Sequence, residues 1–211
     1  MFSTIFNHPL VQDIDVTMGD DKYITISDIV EDAKRLGCDS VINCTGLGSQ
    51  SLCNDQSLFG GRGVLHHYNR QSCVWRNDDE FNTSKNQNDV SILTEDGSWG
   101  TPNFPSYIIP RGDTLCVGGT YLEGDHESSL REEEQSLLRR NAWNLGIDSD
   151  KSSIVGDWVG WRPCRKPTVR LEVEKMEGIN VIHSYGHGGS GWTVFAGVAR
   201  DTVKLLLEST E

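Results

Sequence analysis

The chain has 211 residues, 36% hydrophobic and 24% charged, an ordinary globular composition with room for one full domain or two small ones. Asp and Glu number 31 against 19 Lys and Arg, and the formal net charge of -12 would repel nucleic-acid phosphates, so no nucleic-acid partner is expected. No run reaches the ~20 apolar residues of a membrane helix, and Met1-Phe2-Ser3-Thr4-Ile5-Phe6 lacks the basic and long apolar regions of a signal peptide, so neither is expected.

Residues 1–22 are weakly patterned. Lys22 to Ile26 alternates as a strand does. Ser27 can cap a short helix with Ile29, Val30, Ala33 and Leu36 on one face and Gly37 as its stop. Ser40 to Gly48 reads as a short buried strand ending in Thr45-Gly46. A helix followed by such a strand suits a parallel α/β sheet, whose ligands sit at strand C-termini. Phe59 to Tyr68 is a strand entered through Gly60-Gly61, and Arg76 to Asp89 is a polar surface loop. Val90 to Leu93 is a strand and Asp96-Gly97 a turn. Ser106 to Tyr121 forms two strands around Pro110-Arg111-Gly112-Asp113, a hairpin. The middle third therefore reads as an antiparallel sheet.

Ser129-Leu130-Arg131-Glu132 matches a capping box and opens a helix to about Asn144, with acids early and Arg139 and Arg140 late. Its charge run reads most simply as a solvated face. Gly156 to Glu172 carries Trp158, Trp161, Arg162, Arg165 and Arg170 with two prolines. Val173 to Gly178 is a charged turn, and Val181 to Ser184 is a strand. A helix from about Trp192 to Glu208 closes the chain, with Val194, Val198, Val203 and Leu206 on its buried face.

Between that strand and that helix lies Tyr185-Gly-His-Gly-Gly-Ser-Gly-Trp-Thr193, with glycine at 186, 188, 189 and 191. A glycine loop lets backbone approach a ligand closely. The helix after it turns its N-terminal N–H groups and positive dipole end back towards the loop. A ligand with an electron-rich, hydrogen-bond-accepting edge would fit, and so would a plain glycine turn with no ligand. The spacing is not the G-x-G-x-x-G dinucleotide fingerprint. Arginines packed among Trp and Pro offer bidentate clamps for a carboxylate; surface ion pairing with Asp157 or Glu172 is the alternative. Tyr107 is a ligand-facing phenol or a core aromatic. His187 is a base or a loop hydrogen-bonder. Six cysteines without a C-x-x-C pair argue against zinc and against a dense disulfide framework, which leaves reduced thiols in an intracellular compartment as the expectation.

Three segments together resemble the D-amino-acid oxidase family, which includes D-aspartate oxidase. They are Val41-Ile-Asn-Cys-Thr-Gly46; Tyr107-Ile-Ile-Pro110 with Val117-Gly-Gly-Thr120; and Arg162-Pro-Cys-Arg165 with Val169-Arg-Leu-Glu172 and His183 to Thr193. The resemblance implies an FAD enzyme that oxidises a D-amino acid, passes the electrons to oxygen and yields a 2-oxo acid, ammonia and hydrogen peroxide. It implies an α+β fold: an incomplete nucleotide-binding portion (residues 1–60), an antiparallel-sheet substrate domain (61–180) and a returning strand, loop and helix (181–211). Arg170 and Tyr107 would hold the substrate carboxylate, and the Gly189 carbonyl would accept from the amine. Cys44, Thr45 and Gly46 would lie along the FAD. Gly188, Gly189, Ser190, Gly191, Trp192 and Thr193 would face the flavin. No residue is implied as a dedicated base. The partners implied are a D-amino acid and oxygen, with a homodimer as a candidate assembly and a peroxisomal location, although Glu208-Ser-Thr-Glu211 is not an S-K-L type signal.

The sequence departs from the family at several points. The family opens with a strand, a G-x-G-x-x-G turn and a helix, and here the first glycine is Gly19. Without that unit Val41–Asn43 would lack a parallel neighbour and expose an apolar edge. A non-catalytic paralogue serving as an interaction module is the alternative reading. Asn103 stands where a second tyrosine is usual, and the choice of Arg170 rests on its Val-Arg-Leu-Glu context. Glu95 and Tyr121 stand where aspartate oxidases tend to place arginines, which leans the substrate towards neutral D-amino acids.

Overall fold

A computed structural model describes residues 23–76, 89, 91–94 and 105–210. Helix α1 (Ile26–Arg35) is capped by Thr25, and Asp28 bonds back to the Thr25 backbone N–H. The alternation at 22–26 and the Ser27 cap are thereby corrected: the reciprocal Thr25–Asp28 bonds start the helix two residues earlier than a Ser27 cap would. Gly37, at φ 72°, stops it as expected. Strand β1 (Ser40–Asn43) follows, then a 3-10 turn (Gly46–Gly48) running into the one-turn helix α2 (Ser49–Leu52).

The long strand β2 (Leu58–Asn69) is the spine of a six-stranded sheet. β3 (Ile92–Leu93), β4 (Tyr107–Arg111) and β5 (Thr114–Gly118) build it outwards on one side, with the expected hairpin turn at Gly112. β6 (Leu122–Glu123) and β7 (Ile154–Arg165) also pair with β2, all antiparallel. Asp96-Gly97, Glu95 and Asn103 lie outside the described residues, as do the loop from 77 to 88 and the weakly patterned start.

One face of this sheet is closed by α3 (Glu132–Asn144). Tyr68, Ile108, Leu115 and Val117 from the strands meet Ala142 of the helix and Leu145 and Ile147 just beyond it, each 2% exposed or less. Seven such side chains together supply the main hydrophobic driving force for this half. The acidic start of α3 is not wholly solvated. Glu134 is buried and ion-paired with Arg62, which is itself fully buried. Arg62 also donates to the carbonyls of Glu127 (2.6 Å) and Ser129 (2.7 Å), and Glu134 accepts from the Arg131 N–H (2.9 Å). Burial works to raise the Glu134 carboxyl, but the Arg62 and Arg131 bonds outweigh it and hold it below the ordinary glutamate range.

The second sheet has three strands in the order β1-β9-β8. β9 (Ile179–Tyr185) is buried along its length and runs parallel to β1 and antiparallel to β8 (Arg170–Met176). The segment Val173–Gly178, read as a turn, is mostly β8; the turn is only Glu177-Gly178, both at positive φ. β8 also pairs away from the antiparallel sheet, although the expected division at residue 180 grouped it there. Helix α4 (Gly191–Ser209) lies against β9 and β8. Its expected buried face is corrected: Val198 and Leu206 are half-buried, but Val194 and Val203 are 40% and 50% exposed, and Trp192, Phe195 and Leu207 more so. Nothing among the described residues covers that side of α4 or the outer edge of β1, where Ile42 is 45% exposed.

Candidate functional site

The open face of the large sheet is floored with glycine. β-strand side chains alternate between faces. Tyr107 pairs with Gly118, Leu65 with Trp158, Gly63 with Gly160 and Gly61 with Arg162. The pair His66–Val117 fixes Leu65 and Gly118 on the same open face. A Cβ at Gly118 would collide with the Tyr107 phenol, at Gly160 with the Trp158 ring, at Gly63 with the Arg162 guanidinium and at Gly61 with the Tyr121 ring. Four large side chains therefore lie down across the sheet because the glycines beneath them, on the same strand or a neighbouring one, have no side chain to lift them.

The last turn of β7 is the hub that brings the loops to this floor. A Cβ on Gly189 would lie 3.3 Å from Arg162 Cδ, one on Gly46 3.7 Å from Pro163 Cβ, and one on Gly188 3.2 Å from Cys164 Sγ. Gly186, at φ 89°, packs on the Arg165 side chain, and Gly188 sits at φ 57°; both turns need a residue that tolerates the left-handed region. So Thr45-Gly46 at the end of β1 and the glycine loop at the end of β9 converge beside Arg162. The Arg162 Nη1 donates to the Thr120 carbonyl at 3.2 Å, which orients the guanidinium. Tyr121, beside Cys164, has its hydroxyl pushed up to about 12, by burial first and by the Cys164 contact second.

The structure does not bring Arg170 to Gly189. Its guanidinium is taken by Glu172 (2.7 Å), Glu174 (2.8 Å) and the Tyr185 hydroxyl (3.0 Å). Burial opposes its charge, yet these partners hold the arginine above its ordinary range. Arg165 likewise pairs with Asp55 at 2.8 Å. The ion-pair alternative therefore describes Arg165 and Arg170, and the arginine lying against Gly189 is Arg162. The physical reason is that residues 166–169 divide the arginine block between two strands of different sheets.

The remaining expected residues form two groups. Thr45 is turned inwards, its N–H and hydroxyl both donating to Asn43 Oδ1 (3.1 and 2.8 Å). Cys44 lines an apolar groove of about 510 Å³ between β1, β9 and α4, shared with Ile42, Ser184, His187 and Phe195. Gly188–Ser190 form a 3-10 turn that runs directly into α4. Ser190 makes no side-chain cap bond there, so the first N–H groups of α4 rely on other acceptors. Trp192 and Thr193 are exposed on the first turn. His187 Nε2 is buried without a hydrogen-bond partner among the described residues. Uncapped amides, an orphaned imidazole nitrogen and glycines at the contact points fit the edge of a flat, electron-rich ring.

A family model described as FAD dependent oxidoreductase matches residues 4–205. The chain belongs to the FAD-dependent oxidoreductase family. Within it, the chain is 36% identical over 172 residues to a D-amino-acid oxidase of Dictyostelium discoideum, covering 80% of this chain and 43% of that protein. It is 32% identical to a D-amino acid oxidase of Dugesia ryukyuensis, over 79% of this chain and 45% of the other. It is 30% identical to human D-aspartate oxidase, over 87% and 49%. Among solved structures, the fold is similar to glycine oxidase from Bacillus cereus, with TM-score 0.59 at 16% identity, over 81% of this chain and 43% of that one. This member of the FAD-dependent family thus spans about half the length of the relatives it matches. Among its described residues no helix is long and apolar enough to cross a membrane, and all six cysteines are free thiols.

Proposed function

We propose that this chain forms the substrate-binding portion of an FAD-dependent oxidase of D-amino acids, with Arg162 as the carboxylate clamp. The observation that carries this reading is the Arg162 guanidinium, laid over Gly63 and against Gly189 on a glycine floor that also holds Tyr107. A planar guanidinium and a phenol on one face of a sheet make a complementary seat for a carboxylate. In this reading the Gly189 carbonyl accepts from the substrate amine, so the substrate is gripped at both ends of its Cα. Positioning of this kind needs no side-chain base. FAD, when bound, would supply the two-electron acceptor for the hydride at Cα, with oxygen as the final oxidant and hydrogen peroxide as its product. The released imino acid then hydrolyses to a 2-oxo acid and ammonia.

On the cofactor side, Cys44, Thr45 and Gly46 would line the FAD, and Gly188 to Thr193 would face the ring. Amide N–H groups at the start of α4, with the helix dipole behind them, stabilise negative charge on that edge. Residues 1–60 and 181–211 would make up the cofactor side, with β8 joining them. Tyr121, directly after Gly118-Gly119-Thr120, favours neutral over acidic D-amino acids. The peroxisomal location and the homodimer go with this proposal.

The test is to supply the purified chain with FAD and follow flavin absorbance and peroxide release with D-alanine and with L-alanine. The account predicts a shifted flavin spectrum and peroxide from the D-enantiomer only. A folded protein that neither perturbs the flavin nor binds D-alanine contradicts it.

A further inference from the structure

The side chain of Trp158 is left unexplained by carboxylate and amine recognition. It is 52% exposed, and its ring occupies the space over Gly160 that a side chain there would fill. Gly160 is the cross-strand partner of Gly63, which carries the Arg162 guanidinium. Directly opposed positions of this kind are ~4.5–5.5 Å apart at Cβ, so the indole edge and the guanidinium are neighbours. Trp158 pairs with Leu65, whose open-face neighbour on the far side is Gly118 under Tyr107. A ligand held between Arg162 and Tyr107 therefore has its remaining atoms against Trp158 and Leu65.

Charge on this face points the same way. Among the described residues, Lys166 pairs with Glu123 at 2.7 Å and Arg165 with Asp55 at 2.8 Å, both on the Cys164 side of Arg162 and away from Trp158. His67 lies on the same strand two residues beyond Leu65. A second carboxylate on the ligand would meet an indole and a leucine, lose hydration there, and gain no charge partner from either of those side chains. A planar apolar side chain would gain an offset or edge-to-face contact.

We infer that Trp158 is a specificity-determining residue that selects D-amino acids with aromatic side chains over acidic ones. This rests on the reading of Arg162 as the carboxylate clamp. Isothermal titration of the 211-residue chain with D-phenylalanine, D-alanine and D-aspartate tests it by binding, independently of turnover. D-Phenylalanine binds about tenfold more tightly than D-aspartate, in line with an aromatic contact plus an avoided desolvation. Trp158→Ala removes the advantage of D-phenylalanine over D-alanine, weakening D-phenylalanine several-fold more than D-alanine, and Trp158→Arg raises D-aspartate affinity. Equal affinity for D-phenylalanine and D-aspartate in the native protein, or a uniform loss for all three ligands in Trp158→Ala, overturns the inference alone. If none of the three binds, or if Arg162→Ala leaves all three unchanged, the clamp reading falls with it.

Discussion

The two sheets of this protein are finished to different degrees. The six-stranded sheet closes one face completely with α3 and spends the other on a glycine-floored site. The three-stranded sheet buries β9 but leaves Ile42 on its edge strand and Trp192, Phe195 and Leu207 on α4 exposed. The residues proposed to recognise substrate therefore sit on the six-stranded half, where strand pairing fixes each side chain. The expected cofactor loops sit at the seam, held by the end of β7. A face with few buried contacts is the low-stability end of a structure, so the difference should be measurable.

The largest expected effect is on the six-stranded half. Arg62→Met leaves Glu134 buried with only Arg131 to meet it, and the unfolding free energy should fall by about 3 kcal/mol in urea denaturation. An effect under about 1 kcal/mol would mean that Glu134 escapes to solvent and that the sheet–helix seam is loose. Next, Leu115→Ala should cost about 2–5 kcal/mol, whereas Phe195→Ser on α4 should change stability by about 0.5 kcal/mol or less. Similar losses in the two variants would erase the contrast between the halves.

A smaller effect tests the seam through His183, which is fully buried between Asn43 (3.2 Å), Cys53 (4.0 Å) and Glu174 (3.2 Å). Burial first and the Arg170 charge second depress its pKa below 6.5, against an opposing pull from Glu174. The unfolded chain then binds a proton that the folded one refuses. The stability contribution is complete above about pH 6.5 and is lost as pH falls towards the folded value, with a slope of at most about 1.4 kcal/mol per pH unit. Thermal unfolding of His183→Gln should show a flatter profile over that window. An unchanged profile would mean that the imidazole is solvated.

Much of this was legible in the sequence. The periodicity and turn residues located β2, the β4–β5 hairpin, α3, β9 and α4, because each is a local pattern with punctuation at its ends. The glycine loop and Tyr107 also stood out. Arg162 was visible in the arginine block, but choosing between it and Arg170 needed to know that residues 166–169 send the two onto different sheets. One further signal is in the sequence: Gly61 and Gly63 on β2, set against Gly156 and Gly160 on β7, are missing side chains at even spacing, on one face of paired strands. It marks where large neighbours must lie flat. The Arg62–Glu134 pair was illegible, since 72 residues separate its members and a charge run gives no hint of which acid turns inwards. The exposed face of α4 was misread because amphipathic spacing says which side is apolar, not what covers it.

The most direct test is ligand binding measured side by side in Arg162→Lys and Arg170→Ala, with D-alanine in a calorimeter and unfolding recorded for both. Lysine keeps the charge but loses the planar fork, so Arg162→Lys should weaken binding by about 10- to 100-fold with little change in stability. Arg170→Ala should lose stability through Glu174 and Tyr185 while its D-alanine affinity stays within about threefold, the context scatter of a single interaction. Full affinity in Arg162→Lys together with lost affinity in a folded Arg170→Ala would contradict the account.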